Sequence, residues 1–118
     1  MIEPAEINHK LYKGTDFKLQ FRIKIDGEYV DPSAWIFDFK AAPTIDADSN
    51  TIEKNTGDSP NPFTVDSTKN YLVTMLVDGT ETAAITEKGT LYYQLHETTD
   101  GGEKNPRMVG SIQLIESL

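Results

Sequence analysis

The sequence predicts an all-β fold, a single antiparallel sandwich of about seven to eight short strands. Three observations predict it. Apolar and polar residues alternate strictly from Phe17 to Ile25, the period of a strand with one face in a core and one in water. Turn signals recur along the chain, at Asp26-Gly27, Asp78-Gly79, Lys88-Gly89 and Asp100-Gly101-Gly102. No apolar period of 3.6 residues is sustained over the length of a helix. The 118 residues make one domain, 1–118, long enough to bury a core without staples.

Residues 1–12 read as an N-terminal arm or first edge strand, with Ile7, His9 and Leu11 alternating with Glu6, Asn8 and Lys10. Lys13-Gly14-Thr15-Asp16 is a turn. In the strand that follows, Phe17, Leu19, Phe21, Ile23 and Ile25 point inward and Lys18, Gln20, Arg22 and Lys24 outward. Asp26-Gly27 is a two-residue hairpin signal; Tyr29-Val30 returns and Asp31-Pro32-Ser33 breaks the strand. Trp35, Phe37 and Phe39 give the next strand a heavy aromatic inner face. Residues 42–62 form a long polar loop with at most a short strand near Thr51–Thr56. Phe63-Thr64-Val65 is a further short strand. Tyr71–Val77 is apolar on both faces and therefore central. Thr80–Ile85 is the one plausible helical piece. Two strands close the chain, Leu91–His96 and Arg107–Ile115. The expected core is Phe17, Leu19, Phe21, Ile23, Trp35, Phe37, Phe39, Val73, Met75, Leu91, Tyr93, Leu95, Ile112 and Leu114.

Charge and composition exclude several classes. The net charge is −8, which disfavours nucleic acid and anionic membrane surfaces as partners. There is no cysteine, so neither disulfides nor thiol chemistry enter. No apolar run is long enough to span a bilayer. The acidic start, Met1-Ile2-Glu3-Pro4-Ala5-Glu6, lacks the apolar stretch of a signal peptide. Synthesis in a cytoplasm without a signal peptide is the expectation.

Few residues suggest chemistry. The histidines are His9 and His96; His96 falls on the outward face of its strand and His9 in the arm, so both read as solvent-facing rather than catalytic. No nucleophile elbow and no phosphate-cradling glycine loop is present. Asp46, Asp48 and Asn50 at alternate positions, followed by Glu53, are the candidate calcium ligands. Thr51 and Gly57 stand where a full calcium loop needs Gly and Glu, so a solvated polar loop is the favoured reading. Lys18, Arg22 and Lys24 form a basic stripe suited to an acidic partner or to guarding an edge. Tyr12, Tyr29 and Tyr92 could offer a sugar platform, but read more simply as caps on the core. No cofactor and no catalytic residue is expected.

The small-residue bend Thr82–Ile85, then Gly89 and a tyrosine opening the next strand, echoes the corner of immunoglobulin-like sandwiches, with Tyr92 or Tyr93 as the corner tyrosine. Lys13–Phe17, Asp26–Ser33 (with Pro32 where the pattern has Leu), Trp35–Lys40, Glu81–Ile85, Gly89 with Tyr92–Leu95, and Arg107–Leu114 containing Gly110 follow in a particular order. In that order the chain, over residues 13–115, resembles small immunoglobulin-like proteins of bacteriophage and prophage tails, including the N-terminal domains of baseplate upper proteins. The resemblance implies a non-enzymatic virion structural part, working by protein–protein assembly with other tail proteins, as a homo-oligomer or at a fibre attachment point. The alternative is a carbohydrate-binding or adhesion module, calcium-assisted at Asp46, Asp48, Asn50 and Glu53. The expected contact surfaces are the arm 1–12, adding as a strand to a neighbouring sheet, the loop 43–62 with Phe63 at its end, and a sheet face or edge.

Overall fold

A computed structural model describes residues 4–116. Its strands are β1 (Ala5–Glu6), β2 (His9–Tyr12), β3 (Phe17–Arg22), β4 (Lys24–Ile25), β5 (Glu28–Tyr29), β6 (Ile36–Ala42), β7 (Ile52–Asn55), β8 (Phe63–Val65), β9 (Leu72–Val77), β10 (Thr90–Thr98) and β11 (Lys104–Ile115), with one helical turn, α1 (Gly79–Ala83). The larger sheet runs β1-β11-β10-β6-β7, with β2 also on β11; the smaller runs β3-β9-β8; β4 and β5 form a separate ribbon. The result is the all-β sandwich that the alternation predicts. With β3, β9 and β8 on one side and β11, β10, β6 and β7 on the other, the strands partition as in an immunoglobulin-type fold.

Period-two patterning produces this directly. In β3 the inward Phe17, Leu19 and Phe21 are buried and Lys18, Gln20 and Arg22 exposed. In β10, Leu91, Tyr93, Leu95 and Glu97 are buried and the residues between them face out. Every residue of the expected core is buried. Aromatic rings join the two sheets: Phe21 meets Phe37 edge-on at 5.2 Å, and Phe37 stacks on Phe63 at 5.5 Å. Phe63 is thus a core residue and not a contact at a loop end. Leu11, Ala41, Ile52, Val77 and Met108 complete the core.

Several expectations need correction. The long strand from Phe17 to Ile25 breaks at Ile23, whose carbonyl accepts from Val30 N at 3.1 Å. This turns the chain into the β4–β5 ribbon, so Ile25 is exposed rather than inward. The ribbon turns at Asp26 and Gly27, both at positive φ (50° and 82°), the conformation that Asp-Gly supplies in a two-residue hairpin. The 42–62 segment does carry the short strand expected near Thr51–Thr56. Ala42 ends β6, and Ile52 carries β7 into the sheet opposite Ala41. The arm is not free: β1 and β2 pair in parallel with β11, Ala5 beside Met108 and His9 beside Ile112. The sandwich is therefore antiparallel except along this seam.

The corner between β9 and β10 is not a tyrosine corner. Tyr92 faces solvent, and the Tyr93 hydroxyl donates to the Ile7 carbonyl at 2.7 Å, in the arm. Thr82, fully buried, holds the corner instead. Its hydroxyl donates to the Thr15 carbonyl at 2.7 Å and accepts from Gly14 N at 3.0 Å. Asp16 Oδ1 accepts from Gly79 N at 2.8 Å. The Asp78/Glu81 capping box closes the start of α1. The Lys13–Asp16 turn and the Asp78–Thr82 bend thus lock each other.

Candidate functional site

A cleft of ligand size, about 630 Å³, lies on the outer face of the larger sheet. Its floor comes from outward positions of three neighbouring strands: Lys40 and Ala42 on β6, Tyr92 and Gln94 on β10, Val109 and Ser111 on β11. Pleating puts these side chains on the face opposite the core. One wall is the segment between β6 and β7, with Thr44, Ile45, Ala47 and Asn50; the other is the arm, with Glu6 and Asn8. Ile45 is 78 % exposed and Tyr92 46 %.

The arm wall is fixed by an unusually close approach. A Cβ on Gly110 would lie 2.0 Å from the Ile7 carbonyl oxygen, so only glycine lets the arm lie down there. Ile7 N donates to the Val109 carbonyl at 3.0 Å. Asn8 Oδ1 accepts from both Ser111 N (3.1 Å) and Ser111 Oγ (3.0 Å). Next along the arm, His9 packs against Phe17 and Tyr93 at centroid distances of 5.8 and 5.6 Å. Its Nε2 is buried without a partner among the described residues. Burial lowers the His9 pKa from the ordinary 6.5 and raises that of the Tyr93 phenol. His9 is therefore not the solvent-facing residue that its place in the arm suggests.

The other candidates disperse. Asp46, Asp48, Asn50 and Glu53 are all exposed, and the Asn50 amide donates to Glu53 at 3.4 Å. No group of three or more His, Asp or Glu side chains converges as a metal site among the described residues. Of the candidate calcium ligands, Asp46, Asp48 and Asn50 lie between β6 and β7, and Glu53 lies in β7. His96 is exposed on β10, as its outward phase requires. Lys18 and Arg22 stay together on β3, whereas Lys24 passes to the ribbon, 5.1 Å over the Tyr29 ring. Tyr12 and Tyr29 are about half exposed, at 51 % and 50 %. They do not cap the core; Tyr29 stacks on Tyr71 at 3.9 Å.

Two buried charges escape the sequence reading. Glu97 is 1 % exposed and takes a two-point grip from Arg107, Nε to Oε1 at 2.6 Å and Nη2 to Oε2 at 2.9 Å; Asn105 donates to it at 3.3 Å. The signal was present, since Glu97 is in phase with Leu91, Tyr93 and Leu95. Lys13 is 7 % exposed, its ammonium on the Glu87 carbonyl (2.6 Å) and Glu116 (3.0 Å).

No protein-family model matches the chain, and no curated protein matches it.

Proposed function

We propose that the protein is a non-enzymatic structural component of a phage or prophage tail, working by assembly through sheet edges. One observation carries the edge. β3 pairs with β9 on one side and with no described strand on the other. In constant-type immunoglobulin sandwiches the first strand lies in that second sheet; here β1 and β2 have crossed to β11, leaving β3 as a six-residue open edge. An open edge is a template for strand pairing with another chain. The resemblance of the ordered motifs to phage tail proteins supplies the setting. The arm is a poor donor strand for a neighbour, because it is already spent on β11.

Light scattering after size exclusion tests the reading. A closed oligomer of defined mass is the expected result. A monomer across the whole concentration range would remove self-assembly through β3.

A further inference from the structure

We propose that the cleft over Tyr92 binds a neutral oligosaccharide, independently of assembly at the β3 edge. The cleft volume of about 630 Å³ suits a small ligand of about two or three sugar rings rather than a protein surface. Its chemistry narrows the ligand class. One exposed aromatic ring, Tyr92, offers an apolar face, which fits the C–H face of a pyranose. Three amides, Asn8, Asn50 and Gln94, line the same space. Gln94 offers a donor and an acceptor side by side, which matches neighbouring hydroxyls on a sugar ring, while Asn50, its NH₂ turned to Glu53, adds an acceptor.

Charge excludes the competing classes. Lys40 is the one cation at the cleft, it lies 3.7 Å from Asp38, and Glu6 stands on the opposite wall. A phosphate or polyanion would meet a single cation there rather than a cluster, and the net charge of −8 repels it. Ile45 and Tyr92 are the only exposed large apolar side chains in the lining, too few to cover an acyl chain.

The site is also built in advance. Ser111 holds the Asn8 carbonyl oxygen through two hydrogen bonds, which spends the acceptor end and leaves the NH₂ as donor to a ligand. The arm bearing Asn8 is seated on Gly110. A wall already ordered has less conformational freedom to lose on binding.

The test is a titration of the full chain, followed by two-dimensional amide NMR, with cellotriose, maltotriose and tri-N-acetylchitotriose. At least one of these should shift the resonances of Tyr92, Gln94, Gly110 and Ser111. Tyr92→Ala should weaken that binding about tenfold, and Gln94→Ala should weaken it as well. Tyr29→Ala, on the separate ribbon, should leave it unchanged. Both cleft residues face outward on β10, and an unchanged spectrum away from the cleft verifies the fold of each variant. No shift with any of the three sugars overturns the proposal. So does a shift centred on Tyr29 and Tyr71, or a Tyr92→Ala variant that binds as tightly as the parent. The native mass reports on the β3 edge separately, so either reading can fail alone.

Discussion

Arg107 and Glu97 place a full ion pair under the sheet surface, and the two partners are not equivalent. The Glu97 side chain is 1 % exposed and that of Arg107 16 %. Removing Arg107 strands a carboxylate with little water; removing Glu97 leaves a guanidinium that can reach solvent. Arg107→Ala should therefore cost about 3–5 kcal/mol, and more than Glu97→Ala, as read from urea unfolding. Equal and small losses would mean that the pair is not formed. His9 sets a second residue-scale expectation. Burial lowers its pKa below 6.5, so the unfolded chain takes up the proton first as pH falls. The fold thus loses stability as pH drops through and below 6.5, and loses none from this group above it. Comparing thermal midpoints at about pH 7.5 and about pH 5.5 should show a smaller drop for His9→Phe than for the parent. Gly110 sets the third. Gly110→Ala puts a methyl into the Ile7 carbonyl, so it should cost about 1–3 kcal/mol and speed hydrogen exchange at Ile7 N, leaving the β3–β9 amides protected.

At the scale of elements, alternation carried most of the information. Phe17 to Arg22, Leu91 to Leu95 and Trp35 to Phe39 declare their inner faces outright, because a strand with one wet face must alternate. Asp26-Gly27 declares its hairpin because few other dipeptides accept two positive φ angles. What was not legible is pairing between distant segments. Nothing local in Ala5–Tyr12 says that it will lie parallel to β11, and the clue, Gly110, lies about a hundred residues away. The cleft was illegible for the same reason: its walls come from the arm and the β6–β7 segment, and only the sheet brings them together. The corner misled because a tyrosine stood where a corner tyrosine belongs, while Thr82 took over the holding role. Thr82→Val keeps the shape and removes the hydroxyl, leaving Gly14 N and the Thr15 carbonyl short of a partner. It should cost about 1–3 kcal/mol in denaturant unfolding, a loss that Thr82→Ser should largely restore.

The whole molecule sets a constraint on how copies can meet. Eleven basic residues against nineteen acidic ones leave a net charge of −8, so two copies repel unless a local basic surface faces an acidic one. Lys18 and Arg22 provide that surface, exposed on β3 beside the open edge. A contact joining the β3 region of one copy to an acidic surface of the next is heterologous, and such contacts close into rings when the rotation allows. Attraction of this kind is screened by salt, whereas apolar burial is not weakened by it. The mass measured by light scattering should therefore fall as ionic strength rises from about 0.05 M to about 0.5 M. The double variant Lys18→Glu with Arg22→Glu should reverse the local sign and give a monomer at low salt. Both side chains are in water, so its thermal midpoint should stay close to the parent's. An oligomer that ignores both salt and charge reversal would place the contact away from Lys18 and Arg22.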